Sequence, residues 1–222
     1  MVYTHKRPLQ EPEKAVGTNE KAKIMKRIFI TMVALFLCTM GAFAQYAPEC
    51  KAAIDKIAAA NAKFTTVTCP FTQTKHMVMM ENELVSKGNL TYTRPNGLKM
   101  EYTSPAGDLL EISGDNITMV RGKKTNKIST KQDSRMGNLK NTLLLSIGGD
   151  VDGVVKENAA EVKFIETPQY YVFMIAKGKG AKSQYVKLEL SYSKKDLTLC
   201  VMKMEEANGN FTVYDTPVKQ MK

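Results

Sequence analysis

The chain has 222 residues and a mean hydropathy of −0.27, with 43% hydrophobic and 24% charged residues. That balance is too apolar for general disorder and too polar for a polytopic membrane protein, and the length fits one domain with a real core better than two large ones. The formal net charge of +10 looks like a nucleic-acid signal, but part of the excess lies in a segment expected to be removed.

That segment is Met25 to Ala44, with Lys26-Arg27 at its start, an apolar run from Ile28 to Cys38, and Ala42-Phe43-Ala44 before Gln45. It reads as a secretory signal peptide with an A-x-A cleavage site after Ala44. The alternative, a membrane anchor, needs roughly 20 apolar residues and the run is shorter. Residues 1–24 are polar and patternless and precede a complete signal start, so they read as an over-extended N-terminus. Removal of residues 1–44 takes seven basic and three acidic residues from totals of 32 and 22, leaving 25 and 19, net +6. The remaining lysines are spread over strands and turns, a pattern of solvated faces and protected edges. An exported protein meets little nucleic acid, which argues against that partner and leaves an anionic membrane surface or an acidic protein. Gln45 rather than Cys follows the cleavage site, so no lipidation is expected there.

Ala47 to Ala62 is alanine-rich with Ile54 and Ile57 on one side and reads as a short amphipathic helix. The period then changes to two. Val67, Cys69 and Phe71 alternate with polar neighbours, as do Leu90 with Tyr92, and Leu98, Met100 and Tyr102, so these are half-buried strands with one apolar face. Turn residues at Arg94-Pro95-Asn96-Gly97, Ser113-Gly114-Asp115-Asn116, Lys194-Lys195-Asp196 and Asn208-Gly209-Asn210 mark hairpins. A second helix is predicted over Asp133 to Ile147, where Met136, Leu139, Leu143, Leu144 and Ile147 recur at helical spacing before Gly148-Gly149. Further strands follow at Glu161–Ile165, Tyr170–Ala176, Tyr185–Tyr192, Leu197–Met204 and Phe211–Thr216. About ten strands in one antiparallel series predict a mainly β fold with helices: a strongly curved sheet, or open and incomplete barrel, whose concave side one or two helices cover.

Three cysteines remain after export, Cys50, Cys69 and Cys200, in a compartment that allows pairing. A helix rising 1.5 Å per residue puts Cys50 roughly 18 Å before its end, and a strand running back from Phe64 reaches a similar height near Cys69. Cys50 with Cys69 is therefore the candidate disulfide.

Catalytic motifs are poor. The exported chain has one histidine, His76, which excludes a His-rich metal site and leaves any Ser-His-Asp arrangement dependent on that residue. Lys177-Gly178-Lys179-Gly180-Ala181-Lys182-Ser183 has Ala where a phosphate loop requires Gly, and reads as a basic hairpin tip. Asp150-Val151-Asp152-Gly153 lacks calcium-loop spacing and reads as a loop after the helix. Methionine is the unusual component, at Met77, Met79, Met80, Met100, Met119, Met136, Met202 and Met204 among others. Such side chains suit a surface that accepts ligands of variable shape, or ordinary core filling.

Phe64-Thr-Thr-Val-Thr-Cys-Pro-Phe-Thr-Gln-Thr-Lys75, then Ser86-Lys-Gly-Asn-Leu-Thr-Tyr-Thr-Arg-Pro-Asn96, Leu98-Lys-Met-Glu-Tyr102, Pro105 and Ile112-Ser-Gly-Asp-Asn116 together resemble the LolA family of periplasmic outer-membrane lipoprotein carriers. The F-x-Q-x-K and G-x-L-x-Y-x-R-P patterns come in the family's order. The absence of Trp and the three cysteines depart from it. Over residues 45–222 the resemblance implies an open barrel with an N-terminal helix and a central lid helix over an apolar, acyl-binding cavity. The strand positions matching that cavity are Phe71, Leu90, Tyr92, Leu98, Met100, Tyr102, Leu110, Ile112 and Met119, with Met136, Leu139, Leu143 and Ile147 from the lid. Arg94 matches the arginine that holds the lid through backbone carbonyls; the alternative for this residue before Pro95 is an exposed turn position.

The implied partners are acylated lipoproteins, an inner-membrane ABC lipoprotein-releasing transporter and an outer-membrane acceptor, in the periplasm of a Gram-negative bacterium, with the carrier a monomer that uses no cofactor and catalyses nothing. A lipid-binding or lipoprotein-sensing protein on the same fold shares these features, and a secreted hydrolase would need His76 beside a nucleophile and an acid.

Overall fold

The computed structural model describes residues 46–216 and 219–222. The export segment, its cleavage site and residues 1–24 lie outside the described residues. Twelve strands form one antiparallel sheet, curved and unclosed. They are β1 (Thr66–His76), β2 (Leu84–Thr93), β3 (Gly97–Ser104), β4 (Ala106–Ser113), β5 (Asn116–Arg121) and β6 (Lys124–Ser129), then β7 (Glu161–Glu166), β8 (Tyr170–Ala176), β9 (Tyr185–Ser193), β10 (Leu199–Glu206), β11 (Phe211–Asp215) and β12 (Gln220–Met221). Three helices are described: α1 (Pro48–Asn61), α2 (Ser134–Ile147) and α3 (Val151–Glu157).

The spatial order β6-β5-β4-β3-β2-β1-β11-β10-β9-β8-β7 shows two meanders joined at β1. The chain leaves the sheet at one edge, β6, and re-enters at the other, β7. The whole passage is made by α2 and α3. On its far side β1 pairs with β11 at Thr72–His76 and with β12 at Val67 and Thr68. Cys69, Pro70 and Phe71 face the step between them, a place where proline can replace a ladder donor.

Register lines the apolar positions up across strands. Val67, Tyr92, Leu98, Ile112 and Ile117 form one row, and Cys69, Leu90, Met100, Leu110 and Met119 the next. These rows pack with Ile54 and Ile57 of α1 and Leu143 and Leu144 of α2 in one core on the sheet's inner face.

Local chemistry sets the helix ends. Pro48 opens α1 with Glu49 in its first turn, where a missing N–H and a negative charge both suit the helix N-terminus. The Asp133 carboxylate accepts from the Arg135 and Met136 N–H groups and caps α2. Gly148 and Gly149 release the chain. A Cβ at position 148 would lie 2.8 Å from the Tyr92 hydroxyl, and Gly149 has φ +77 with Asn61 Cγ 2.7 Å from where its Cβ would stand.

Four expectations need correction. The strand number is twelve rather than about ten, because β6 is the polar run Lys-Thr-Asn-Lys-Ile-Ser with no buried alternation and β12 has two residues. Asp150–Gly153 is a helix start, not a loop: the Asp150 carboxylate caps α3 through the Gly153 N–H. The strand expected from Leu197 begins at Leu199, since Leu197 sits in a turn at φ +59. The Cys50–Cys69 bridge is not formed. Both are buried free thiols.

Candidate functional site

The inner face carries the predicted cavity residues. Phe71, Leu90, Tyr92, Leu98, Met100, Tyr102, Ile112 and Leu143 are buried in the core, and Leu110, Met119, Met136, Leu139 and Ile147 pack against it half-buried. Between sheet and α2 lies a cavity of about 20 Å³, room for about one water molecule. Of the predicted residues, Leu90, Met100, Leu143 and Ile147 line it. Its other wall comes from the C-terminal half: Leu199 and Met202 of β10, Tyr214 of β11, and Lys219. Val67 and Cys69 of β1, Asn61 at the end of α1, and Thr198 and Thr216 complete it. The missed wall carried a local signal in the alternation of Met202 and Met204. What the sequence hides is the β1–β11 pairing that folds this wall onto the first.

Arg94 follows β2 and is exposed, so its guanidinium stands at the rim of the apolar face. Its Nη2 donates to the carbonyl of Asn61, 3.1 Å away, and to that of Gly148, 2.7 Å away. These are the last residue of α1 and the C-cap of α2. Helix C-termini present carbonyls without intrahelical partners and the negative end of the helix dipole, so one cation there ties two helices together. The exposed-turn alternative describes the location of Arg94 but not these bonds.

The same end of α2 is held from two other directions. The Tyr192 hydroxyl, buried, donates to the Ser146 carbonyl at 2.7 Å. Asn61 Nδ2 donates to the Leu197 carbonyl at 2.7 Å and the Ile57 carbonyl at 2.9 Å, fixing the α1 terminus that Arg94 grips. The Ser146 hydroxyl, by contrast, is buried with no hydrogen-bond partner among the described residues. Farther along, Asn158 donates to the Thr142 hydroxyl at 3.2 Å and Asn138 to the Glu157 carbonyl at 3.2 Å, tying the end of α3 and its C-cap to α2.

Toward the β1–β2 turn the interior becomes polar. The Tyr102 hydroxyl donates to Gln73 Oε1 at 2.8 Å, and Gln73 Nε2 donates to the Tyr214 hydroxyl at 3.2 Å. Burial raises the pKa of both phenols, so both are neutral at physiological pH. Burial likewise raises the thiols of Cys50, Cys69 and Cys200, which stay protonated.

Catalytic chemistry finds little footing among the described residues. His76 ends β1 stacked on Phe211 at 4.6 Å, with Glu83 3.8 Å away. Lys177 closes its own loop by donating to the Ser183 carbonyl. The methionines divide: Met100, Met202 and Met204 are buried, whereas Met79, in the β1–β2 turn, is 98% exposed and Met80 is exposed too. No group of three or more His, Cys, Asp or Glu converges among the described residues.

A family model described as outer membrane lipoprotein carrier protein LolA matches residues 62–218. No curated protein matches in sequence. Among solved structures, a LolA superfamily protein from Nitrosomonas europaea is 10% identical at a TM-score of 0.40, covering 78% of this chain and 93% of its own. A DUF1329 family protein from Desulfovibrio piger is 14% identical at 0.42, covering 78% and 92%. The lipoprotein LppX of Mycobacterium tuberculosis is 15% identical at 0.41, covering 78% and 98%. These likenesses are remote, and the family assignment rests on the family model.

Proposed function

We propose a function from one premise: the chain belongs to the LolA family of outer membrane lipoprotein carrier proteins, whose model its residues 62–218 match. The role is that of a periplasmic carrier, exported by the segment ending at Ala44, which covers the acyl chains of lipoproteins and moves them from the inner toward the outer membrane. An ABC transporter of the inner membrane loads it, and an outer-membrane acceptor unloads it.

The observation that carries this reading is the grip of Arg94 on the ends of α1 and α2, above an apolar cavity with room for about one water. One chain of about 14 methylenes, at about 0.8 kcal/mol each, costs roughly 11 kcal/mol to expose to water, so it cannot cross an aqueous space uncovered. A cavity of this size cannot admit that chain unless α2 is displaced. Loading therefore exchanges the helix's own apolar contacts for those of the cargo, which leaves a net affinity small enough to reverse. A permanently open pocket would bind tightly and fail to deliver. Buried Met100, Met202 and Met204 supply a lining that adapts to chains of different shape.

Mass spectrometry of material copurifying with the native protein tests the reading. Triacylated or diacylated protein N-termini are the expected ligands. Recovery of free lipids alone points to a lipid-binding protein on the same fold, and recovery of no amphiphile from a folded protein argues against both.

A further inference from the structure

We propose that the end of the sheet away from the Arg94 latch is a membrane seat: the β1–β2 turn enters a lipid bilayer, and the basic turns on either side of it bind anionic head groups. The inference goes beyond the carrier reading, since it uses no residue of the cavity. Of the eight large hydrophobic side chains exposed among the described residues, five are Val78, Met79, Met80, Leu84 and Val85. All five lie in that turn or at the start of β2. The turn is held in place: the Met80 N–H donates to the Met77 carbonyl at 2.8 Å, and the Val78 N–H to the Asn210 side chain at 3.0 Å. Successive residues of a strand point to opposite faces, so Leu84 and Val85 leave the ribbon on both sides while Val78 and Met79 stand at its tip. One flat protein surface cannot cover a ribbon that is apolar on both faces and at its end. A bilayer entered end-on covers all of it at once, and methionine adapts to acyl chains.

Chain direction places the basic turns. β1, β3 and β5 run toward this end, so the β5–β6 turn lies here; on the other side of β1, β8 also arrives here before its loop to β9. The strand order sets the apolar turn between them. Lys123 and Lys124 occupy the first, Lys179 and Lys182 the second, and all four are exposed. None of them enters an ion pair among the described residues. At the opposite end, by contrast, lysines are neutralised: Lys131 and Lys140 meet Asp115, and Lys194 meets Glu166. The acids at the proposed seat are Glu81 and Glu83 in the apolar turn and Asp108, Glu161, Glu205 and Glu206 near strand ends. Glu83 lies 3.8 Å from His76 Nδ1, Arg121 pairs with Asp108 and Lys187 with Glu205. The two lysine turns hold no acid, so a head group meets cations alone there. Docking and latching thus use opposite ends of the sheet.

The test measures cosedimentation of the purified protein with vesicles of phosphatidylcholine, with and without phosphatidylglycerol, and verifies folding by thermal melting. The chain holds no Trp, so Met79→Trp supplies a single reporter of insertion. Its emission is expected to shift to the blue on phosphatidylglycerol vesicles and to be quenched by brominated acyl chains, while Lys195→Trp at the opposite end does neither. The double substitution Lys123→Gln with Lys179→Gln should weaken binding to phosphatidylglycerol vesicles about thirtyfold, roughly fivefold per lysine, and raised salt should act in the same direction. Val78→Ser with Met79→Ser should weaken it at least about tenfold with the lysines in place. Binding of a hydrophobic probe in the cavity is expected to be unchanged in every variant, so the seat and the carrier reading fail separately. No blue shift in folded Met79→Trp, or vesicle binding that survives both double substitutions, overturns the seat. Binding through the lysines with Met79→Trp unquenched overturns the insertion of the turn. Self-association that is lost in Val78→Ser with Met79→Ser, without vesicle binding, assigns the tip to a second copy of the chain and likewise overturns the proposal.

Discussion

Replacing Arg94 by Leu should slow the release of cargo more than it harms the fold. The substitution removes two donated hydrogen bonds, to Asn61 O and Gly148 O. Bonds from a charged donor contribute about 1.5–3 kcal/mol each when well enclosed. Arg94 is exposed, so solvent screening reduces the pair to roughly 2 kcal/mol together. Both bonds exist only while the C-termini of α1 and α2 lie side by side, and their loss therefore falls almost wholly on the closed state. At about 1.4 kcal/mol per decade, 2 kcal/mol moves the closed-to-open ratio about thirtyfold. The new leucine adds apolar surface at the rim, which favours the loaded form in the same direction. The assay is transfer of a lipoprotein from purified loaded carrier to outer-membrane vesicles, alongside amide exchange over residues 134–147. Arg94→Leu should load normally, release at least about tenfold more slowly, and exchange faster in α2 when empty. Arg94→Lys should fall between, since an ammonium keeps the charge and its donors but is more strongly hydrated and carries them on a more flexible stem. Equal transfer rates and equal exchange in wild type and Arg94→Leu would refute the latch.

Three further outcomes follow from neighbouring features. Ile147→Glu places a carboxylate on the α2 wall of the cavity, where Ile147 is only half-buried; hydrophobic-probe binding should fall by more than tenfold while stability drops by about 1–2 kcal/mol, and unchanged probe binding would remove this wall from the site. Ser146→Ala deletes a buried hydroxyl without a partner and should raise the melting temperature by a gain of about 1 kcal/mol, with slower α2 exchange; a lower melting temperature would mean that the hydroxyl has an unseen partner. The hydrogen bond from Lys156 holds the Asp152 carboxyl below its ordinary range, so this group adds stability above its unfolded value near 3.9 and loses it as pH falls through the lower folded value. With Asp152 more than a third exposed, Asp152→Asn should cost roughly 0.5 kcal/mol at pH 7 and nothing near pH 2. A cost that persists at pH 2 would point to packing rather than charge.

The first half of the inner face was legible because strands β1 to β3 carry runs of alternation and the turns there hold Gly, Pro, Asn and Asp, so period and punctuation agree. The second helix was legible within one residue because Asp133 and Gly148-Gly149 bracket an apolar spacing. β6 escaped because it is an edge strand: nothing covers it, and Lys124, Asn126 and Lys127 need not alternate with buried residues. α3 escaped because seven residues are too few for a periodic signal. The second cavity wall and Lys219 depend on β1 meeting β11 more than a hundred residues away, a contact that no local pattern encodes. The thiol pairing failed for a similar reason. Matching heights along helix and strand did not place Cys50 against Cys69, which lines the cavity with Leu199 and Met202 of the C-terminal half instead.

Connectivity gives opening a meaning in terms of folding. Each meander is built of neighbouring hairpins and closes short loops, while the passage from β6 to β7 through α2 and α3 can dock only when both halves of the sheet are in place. From this topology α2 and α3 are expected to settle last. Displacing them to admit cargo retraces that final step and leaves the ladders intact, as a partial unfolding confined to the least local contacts of the chain. For the proposed carrier, capacity and the stability of the last folding unit are then one quantity: a sequence change that firms up the docking of α2 is expected to make a better-folded protein and a poorer vessel.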